Sequence, residues 1–420
     1  MRLLLALLVF WWIQAPAAIQ LKLDTNMAPP YQLSSNGEVT GMAVDGLACV
    51  MERLQVGYGI NVVPWKRAQS NVRSGLSDGV FSVMRQPELE PYAQLSAPLV
   101  LEKWYWYSRD DALLHRSDFP SDLRIGVIRG SNQESWLVGA GLHYSQQVNQ
   151  LDSLFKLLAI GRVDIILVDQ QAMLTQQHLD TARLFRRFER YMPLGVYFSS
   201  AFLATQKEFL SKFNAQLAYC HGQGQGQGQD LTTDEAKVLR LRVDKDFAYW
   251  RKNKLVQQLL QSEPGVDLEL LSRDRTWQQV ASTGQPFPAW MGAILQSSLS
   301  DALADWQRRQ QGQYSEVFIS SVSGQLLACS RLTSDYWQGD EEKLQQTIRQ
   351  ATQNGPKALS GWMDRNGQGP NGFIDYDPSS QRFISHLSYP LWYDGQIVAV
   401  MTFGIQVEEV LRRNIMPLRS

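Results

Sequence analysis

Two stretches of the chain, residues 124–133 (RIGVIRGSNQ) and 161–170 (GRVDIILVDQ), each join a short apolar run to a polar helix start. An apolar run of four or five residues predicts a buried strand, and the polar residues after it are typical of a helix N-terminus. The predicted elements are the strands Arg124–Ile128 and Asp164–Val168, and the helices from Gln133, over Leu151–Ile160 and over Asp169–Gln177. Strands and helices in alternation indicate βα units around a parallel sheet.

The same rhythm precedes this segment, so the pattern occurs twice between Ile19 and about Ser200. A strand-rich passage, Leu99–Ser108, separates the two blocks, and a long helix over Lys207–Tyr219 ends the region. The first block is predicted to contain strands at Ile19–Asp24, Ile60–Val63 and Gly79–Ser82, and helices at Gly41–Leu54 and Ala68–Leu76.

The composition excludes several classes of protein. The chain has 420 residues, 40 Lys+Arg and 41 Asp+Glu, and this balance argues against a nucleic-acid-binding protein, which usually carries a basic surplus. A hydrophobic content of 44% provides enough apolar surface for two or three folded cores. Three cysteines are too few for a disulfide-dense scaffold.

The first residues have the pattern of a secretion signal. Met1-Arg2 precedes the apolar run Leu3–Ile13, and small residues follow in Gln14–Ala18. The sequence predicts a signal peptide, 1–17, cleaved after Ala17 or one residue later; the alternative is an uncleaved anchor. No later segment approaches the apolar length of a membrane span. We therefore expect a soluble periplasmic protein. A Cys49–Cys220 bridge is compatible with that compartment, while Cys49 and Cys329 also fit small buried apolar positions.

The region after the first 222 residues divides into a connector and a second domain. Residues 221–229 read HGQGQGQGQ, a repeat that cannot pack a core. Residues 223–286 are interpreted as this Gly/Gln-rich linker followed by a charged helical connector over Thr233–Leu260 and a less regular passage, 266–288. Residues 287–420 predict an α+β layout. Its elements are a helix over Phe287–Arg309, a hairpin of Tyr314–Ser320 and Leu326–Ser330, a helix over Glu341–Gln350, and strands at Phe373–Tyr376, Arg382–Tyr389 and Gln396–Ile405.

Five motifs between Leu21 and about Cys220 carry a resemblance to a known family. In order, they are Ala28–Tyr31 with Asn36-Gly37 and Gly41–Asp45; Pro64–Arg67; Gly75–Asp78 with Gln86–Glu88 and Leu95–Leu99; Ile125–Ser131; and Gly161–Asp164 with Asp169. The segment resembles the periplasmic solute-binding proteins of the polar amino-acid type (family 3-like). The resemblance implies an α/β two-lobed periplasmic-binding-protein fold (type II) over residues 18–222, with a ligand bound in the cleft between hinged lobes.

The resemblance also implies which residues contact the ligand. The family's carboxylate-clamping Arg corresponds here to Leu89, which argues against a plain α-amino-acid ligand, since Leu cannot replace a bidentate Arg. Arg85 and Ser82 lie at the same rim; Arg85 fits either a cation in the cleft or a surface residue.

The remaining candidates have two open interpretations each. Ser131 and Asn132 open a helix whose N–H groups suit an anion, and Ser131 also fits an N-cap. Asp169 corresponds to the position that pairs with a ligand ammonium, and it too fits an N-cap. The aromatic residues Tyr31, Trp65 and Trp104 fit either walls of the cleft or core packing.

The run Thr333–Glu341 (TSDYWQGDE), with Gly395–Val400, makes residues 287–420 resemble a Cache (PAS-like, PDC) sensor domain. The resemblance implies a second ligand site, for which the candidates are Asp335, Tyr336, Trp337 and Asp340. The alternative is that these residues cap the helix and pack the loop.

No motif calls for catalysis, a cofactor or a metal. The sequence contains no G-x-S-x-G elbow, no Walker loop and no H-E-x-x-H pair, and its five His and three Cys are widely scattered. We therefore expect a non-enzymatic protein that binds a small polar, amino-acid-like solute and delivers it to an ABC-type transporter. The alternative is a periplasmic sensory adaptor that reports to a membrane kinase, cyclase or chemoreceptor. The expected partners are the small ligand and a membrane permease or membrane sensor protein, with no nucleic acid.

Overall fold

The residues described by the computed structural model are 20–116, 122–175, 184–222, 231–262, 265, 267–355, 362–363, 374–377 and 382–417. The predicted leader, 1–17, and the Gly/Gln repeat, 223–229, lie outside the described residues. Within these ranges, no helix combines the length and the apolar character needed to cross a membrane.

The first lobe is built on a sheet in which β1 runs parallel to both β4 and β5. The helix α1 packs on this sheet because Val44, Leu47 and Met51 recur at helical spacing and are all buried. The lobe contains β1 (Gln20–Thr25), β2 (Leu33–Ser35), β3 (Glu38–Thr40), α1 (Met42–Leu54), β4 (Gly57–Val62), α2 (Trp65–Ser74), β5 (Gly79–Val83) and β6 (Ala93–Leu95).

The second lobe is built around a strand that is buried along its whole length, β7 (Val100–Ser108). Its sheet has the order β11-β7-β10-β8-β9, and β8 is parallel to both β9 and β10. The further elements of this region are α3 (Asp111–Leu114), β8 (Ile125–Ile128), α4 (Asn132–Gly139), β9 (Gln146–Val148), α5 (Leu151–Ala159), β10 (Ile165–Asp169), α6 (Gln170–Leu174), β11 (Phe185–Ser199), α7 (Ser200–Thr205) and α8 (Phe209–Gly222).

The 15-residue strand β11 joins the two lobes. Its first part, 185–194, pairs with β7 in the second lobe, and its last part, 195–199, pairs with β5 and β6 in the first. The register shifts at Gly195, where the chain passes from one sheet to the other. The two-lobed α/β arrangement expected from the sequence is therefore confirmed, although the sequence analysis predicted no strand at this position.

The connector is more helical than the sequence analysis predicted. The charged stretch 233–260 forms α9 (Thr233–Trp250) and α10 (Lys254–Gln261), which are separated because Asn253 caps the second helix through the N–H of Leu255. The passage interpreted as irregular contains α11 (Leu270–Thr283), which corrects that interpretation. The hydrophobic residues Trp277 and Val280 of α11 are buried against the C-terminal part of the chain.

The C-terminal part contains a six-stranded sheet in which every pairing is antiparallel. Its path is β13-β12-β17-β16-β14, and β15 also pairs with β16. The single predicted helix over 287–309 is instead two helices, because Ser297 starts a new one as an N-cap. The elements are α12 (Ala289–Leu295), α13 (Ser298–Arg309), β12 (Tyr314–Ser321), β13 (Leu326–Cys329), α14 (Glu342–Asn354), β14 (Trp362–Met363), β15 (Asp375–Asp377), β16 (Arg382–Tyr393), β17 (Gln396–Gln406), α15 (Val407–Leu411) and β18 (Ile415–Pro417).

The C-terminal sheet and the second lobe share one hydrophobic core. The ring of Tyr191 on β11 lies 5.0 Å from that of Phe383 on β16, and the backbone N–H of Tyr191 donates to Glu408 on α15 at 2.7 Å. The last strand, β18, pairs with the start of β11. These contacts make the second lobe and the C-terminal part a single packed unit.

A disulfide joins Cys49 on α1 to Cys220 on α8. Cys329 is a buried thiol in β13, as expected for a small apolar residue. The bridge therefore ties the beginning of the first lobe to the helix that ends the two-lobed region.

Candidate functional site

Polar residues converge where the carboxyl ends of the parallel strands of the two lobes face each other. Tyr31 follows β1 of the first lobe, whereas Asp169 ends β10 of the second and Ser131 follows β8. In open α/β sheets, ligands bind in the crevice outside these strand ends. This edge of the two sheets is therefore the candidate site.

The strand β7 carries different groups on its two faces, because side chains alternate along a strand. Trp104 lies opposite Asp169 in the pairing of β7 with β10, and Glu102 is two residues away on the same face. Lys103 points to the other face, where its ammonium contacts Glu235 of α9. Neighbouring residues of β7 thus belong to two buried polar clusters on opposite faces of the strand. Glu102 belongs to the cluster at the cleft, and Lys103 belongs to the cluster at the connector.

The carboxylate of Glu102 is buried among neutral hydrogen-bond donors. It accepts from the indole N–H of Trp104 at 2.6 Å, the amide of Asn132 at 3.3 Å and the amide of Gln133 at 3.4 Å. Burial and the nearby charge of Asp169 together raise the pKa of Glu102 to about 8, although the hydrogen bonds from Trp104 and Asn132 lower it.

Asp169 is the second buried carboxylate of the cleft. One oxygen accepts from the backbone N–H of Lys103 and the other from that of Ala172, each at 2.9 Å, so Asp169 is the N-cap of α6. Burial raises the pKa of Asp169 to about 6, although these backbone hydrogen bonds lower it. The N-cap interpretation is confirmed, and a capping carboxylate can also face a ligand.

Tyr31 brings the first lobe into contact with this pair. Its side chain is 2% exposed, and its hydroxyl makes no hydrogen bond of ordinary geometry within the described part of the chain. Burial raises the pKa of Tyr31 well above its usual value, and the nearby charges of Asp169 and Glu102 raise it further. The hydroxyl of Tyr31 therefore remains protonated and is a donor held beside two carboxylates.

The start of α4 closes the site on the second lobe. Ser131 is the N-cap, since its hydroxyl accepts from the N–H of Glu134 at 3.1 Å. Asn132 contributes its side-chain amide to Glu102. The ring of Trp104 packs edge-on against Trp136 of the same helix at 5.9 Å, and this contact places Trp104 in the core beneath the cleft.

The other predicted contacts lie apart from this cluster. Arg85 is exposed and forms an ion pair with Glu90 at 2.6 Å. Trp65, at the start of α2, packs on a small core that also contains the fully buried Leu89. Ser82 is buried with a φ of 64°, and its hydroxyl has no hydrogen-bond partner among the described residues. These contacts of the described residues therefore bring neither Ser82 nor Arg85 to Tyr31, Glu102 or Asp169.

Glu102 is the residue of the site that the sequence analysis did not identify. The sequence does contain an indication of Glu102. Residues 100–107 read VLEKWYWY, and a charged pair inside an otherwise apolar and aromatic strand is unusual. The significance of Glu102 depends on Asp169, which only the sheet pairing brings close.

Two of the residues predicted for a second site in the C-terminal part, Tyr336 and Trp337, make contacts within the chain. Tyr336 is buried between Trp277 and Trp290, with ring centroids 5.7 and 5.4 Å away, and its hydroxyl donates to Asp267 at 2.8 Å. None of the four candidates caps α14, whose N-cap is Glu341, which corrects that part of the expectation. Asp335 accepts from Gln278, the indole of Trp337 donates to the carbonyl of Ser323, and Asp340 is exposed.

Asp274 of α11 holds this loop, since one of its oxygens accepts the backbone N–H groups of Tyr336 and Trp337, each at 2.9 Å. We expect Asp274→Ala to lower the free energy of unfolding by about 1–3 kcal/mol, because two N–H groups lose their acceptor. Chemical denaturation and hydrogen exchange at residues 333–341 measure the effect, with Arg275→Ala as an exposed control on the same helix. Unchanged protection of the loop in Asp274→Ala would contradict this account.

The chemistry available to the cleft is recognition of a charged or polar molecule. Within the described ranges, no group of three or more His, Cys, Asp or Glu side chains is arranged to hold a metal ion. The cleft instead combines two carboxylates, one tyrosine hydroxyl and two side-chain amides, and the buried ring of Trp104 lies beneath them.

Comparisons with known proteins match about half of the chain. An ancestral amino acid-binding protein, described as a precursor of cyclohexadienyl dehydratase, is 17% identical over 49% of this chain and 90% of its own, with a TM-score of 0.39. A histidine kinase sensor domain with similarity to periplasmic binding proteins is 17% identical over 49% of this chain and 90% of its own, with a TM-score of 0.38. The GluR0 ligand-binding core from Nostoc punctiforme, in complex with L-glutamate, is 13% identical over 48% of this chain and 92% of its own, with a TM-score of 0.39.

No family model and no curated protein matches the chain. The structural neighbours are thus amino-acid-binding proteins and a sensor domain, at identities and TM-scores too low to assign their ligands or partners to this chain.

Proposed function

We propose that this chain binds a small polar, amino-acid-like solute between its two lobes and performs no reaction on it. One observation carries the proposal: Tyr31 of the first lobe meets Asp169 and Glu102 of the second, and its buried hydroxyl has no hydrogen-bond partner among the described residues. A buried donor without an acceptor is costly, and a ligand that enters the cleft removes that cost.

We further propose that the protein works in the periplasm after removal of residues 1–17. The apolar leader Leu3–Ile13 supports export. The Cys49–Cys220 disulfide supports it independently, because such bonds persist in oxidising compartments.

The proposed domains are the two-lobed unit, 18–222, the connector, 223–286, and a Cache-like (PAS-like) sensor domain, 287–420. The C-terminal assignment is supported by the order of elements, in which α13 precedes two strands, α14 and a set of antiparallel strands. The sequence resemblance of the run Thr333–Glu341 points to the same class.

Delivery of the solute to an ABC-type membrane permease is the first proposed role. The alternative is a sensory adaptor for a membrane kinase, cyclase or chemoreceptor. A specific observation favours the alternative: Lys103, next to Glu102 on β7, is held by Glu235 of the connector helix α9. A change at the cleft is thereby one residue away from a contact with the connector, which leads to the C-terminal domain.

The two roles predict different phenotypes for a strain in which the gene is deleted. Loss of uptake of a radiolabelled ligand supports delivery to a permease. Normal uptake with loss of the transcriptional or chemotactic response to that ligand supports the adaptor. Restoration by the intact gene, but not by a Tyr31→Phe/Asp169→Asn variant, links either phenotype to the cleft.

A thermal-shift screen of amino acids, amines and organic acids tests ligand binding itself. We expect at least one of these solutes to raise the melting temperature of the wild type, and we expect Asp169→Asn and Tyr31→Phe to weaken its binding about tenfold or more, because each variant removes a polar group from the cleft.

Glu208→Gln is the matched control, since it neutralises an exposed carboxylate that pairs with Lys212 outside the cleft. Binding that survives in both cleft variants would reject the proposed site.

A further inference from the structure

We propose that the ligand of this cleft is a small organic cation, a primary amine or guanidinium without an α-carboxylate, and that its binding expels a proton shared by Glu102 and Asp169. This inference rests on the proposed binding function and specifies the ligand class for the same site. Its support comes from five properties of the cleft.

The first property is an excess of negative charge. Glu102 and Asp169 are 5% and 4% exposed, and they lie on one face of the β7–β10 pair, where Glu102 is two residues along β7 from Trp104, the register partner of Asp169. Among the described residues, all hydrogen bonds to these two carboxylates come from neutral side-chain or backbone donors. Two buried carboxylates without a cation are strongly unfavourable unless a proton or a ligand supplies positive charge.

The second property is the unpartnered hydroxyl of Tyr31, which is directed at the same place from the opposite lobe. A tyrosine hydroxyl can both donate to a carboxylate and accept from an ammonium or guanidinium N–H. Its ring also offers a face to a cation. A cation placed between the carboxylates therefore provides the hydroxyl with a partner.

The third property is the absence of a matching group for a ligand carboxylate at the two places where one is expected. Leu89 is fully buried among apolar residues, so no guanidinium can occupy that position. The start of α4 would otherwise favour an anion, but the carboxylate of Glu102 already accepts from Asn132 and Gln133 there. The side chain of Glu102 therefore already occupies the amide donors that a ligand carboxylate would use at this helix start.

The fourth property is the arrangement of cations on the surrounding elements. The ammonium of Lys103 lies on the far face of β7, 3.0 Å from Glu235. On β11, Met192 lies opposite Glu102, and the guanidinium of Arg190 stacks over the ring of Trp136 at 4.9 Å. On α4, the groups that reach Glu102 are the amides of Asn132 and Gln133. Arg190 lies opposite Trp104 and therefore on the same strand face as Glu102, but among the described residues no cation forms an ion pair with Glu102 or Asp169.

The fifth property is a proton held by the pair of buried carboxylates. The pKa of Glu102 is raised to about 8 by burial and by Asp169, and that of Asp169 to about 6 by burial. Between about pH 6 and 8 the pair therefore carries one proton, which passes to the solvent when a cation replaces it. Linkage then requires affinity for a cation to rise about tenfold per pH unit across this window and to level off above it.

Isothermal titration calorimetry with matched probes tests the proposal. Agmatine and cadaverine are compared with arginine and lysine, which carry the same cations together with an α-carboxylate. The titrations are run at pH 6, 7, 8 and 8.5, and at pH 7 in two buffers of different ionisation enthalpy, which counts the protons released. We expect the amines to bind at least about tenfold more tightly than the amino acids, with about one proton released at pH 7.

Glu102→Gln keeps the size of the side chain and its acceptor for Trp104, so we expect a folded protein by circular dichroism. The variant is expected to bind agmatine or cadaverine about ten- to hundredfold more weakly at pH 8 and to lose the rise in affinity between pH 6 and 8. Glu208→Gln is again the control, with unchanged affinity and pH profile.

Tighter binding of the amino acids than of their decarboxylated partners would overturn the inference, as would binding of the amines without proton release. If only a neutral or anionic solute binds, and Asp169→Asn or Tyr31→Phe abolishes that binding, this inference fails while the proposed function stands. If no solute binds in a manner that depends on Tyr31 or Asp169, both fail.

Discussion

Glu235→Ala is expected to lower the free energy of unfolding by about 3–5 kcal/mol, the largest effect of a single substitution predicted for this chain. The carboxylate of Glu235 and the ammonium of Lys103 are 3.0 Å apart, and their side chains are 0% and 1% exposed. Removal of the carboxylate takes the negative charge of Glu235 away from a buried ammonium, and the weaker stabilisation of that ammonium dominates the loss.

Glu235 also organises its surroundings beyond the ion pair. It accepts from the hydroxyl of Tyr105 at 2.5 Å and from the backbone N–H of Thr232 at 2.7 Å, which completes a capping box at the start of α9. The alanine variant therefore loses a helix cap as well as a charge pair. Since α9 connects the two-lobed unit to the C-terminal part, we expect both parts to lose stability together.

The experiment is urea denaturation at pH 7, followed by circular dichroism and tryptophan fluorescence. A Lys103→Met/Glu235→Gln double variant replaces the charges by groups of similar size and is expected to recover most of the lost stability, because no unpaired charge remains. Glu208→Gln, at an exposed pair, should leave the midpoint unchanged. A Glu235→Ala variant as stable as the wild type would show that the Lys103 ammonium finds other compensation.

The pair also predicts a loss of stability in acid. Burial alone would raise the pKa of Glu235, but Lys103, Tyr105 and Thr232 together lower it. A carboxyl whose pKa is lower in the folded state stabilises the protein above its unfolded pKa, and that stabilisation is lost as the pH falls below about 4.5. The Lys103→Met/Glu235→Gln variant should lose less stability over this range than the wild type.

The Cys49→Ala/Cys220→Ala variant is expected to lose about 2–5 kcal/mol of stability, the second large effect. The bridge joins positions 171 residues apart, so it restricts the unfolded chain strongly. It also joins α1 to α8, whose buried faces belong to the core of the first lobe. Urea denaturation of the wild type with and without a thiol reductant measures the same loss without a mutation.

Two comparisons assign this effect to the bridge. In the double variant, reductant should change nothing further. In Cys329→Ala, where the bridge remains, reductant should still lower the denaturation midpoint by the full amount. Equal stability of the oxidised and reduced wild type would contradict the prediction.

The sequence predicted the parts of the fold that depend on local patterns. The strands around Ile125–Ile128 and Ile165–Asp169 and the helix α1 follow from hydrophobic periodicity, which a short window of sequence contains. The strand β11 escaped prediction because its first residues read FRRFER, and such charges usually indicate a solvated surface. In the fold, Arg186 is instead buried over the ring of Tyr105, with its guanidinium 4.9 Å from the ring centroid.

The candidate site shows the same limit. Tyr31, Trp104, Asn132 and Asp169 were predicted from motifs, and they meet around one carboxylate. That carboxylate, Glu102, carries no motif, because its role depends on Asp169, a residue distant in sequence that the pairing of β7 with β10 brings close. The outward position of Arg85 likewise depends on Glu90, a partner that resemblance to a family does not specify.

The pairing of β18 with the start of β11 covers one edge of the second lobe with a strand from the C-terminal part. A molecule in which the C-terminal part has detached therefore exposes unpaired backbone N–H and C=O groups along residues 185–187 of β11. Such an edge is a template for pairing with another chain, so we expect aggregation to begin from molecules in which the C-terminal part has come away, even while the Cys49–Cys220 bridge keeps the first lobe closed.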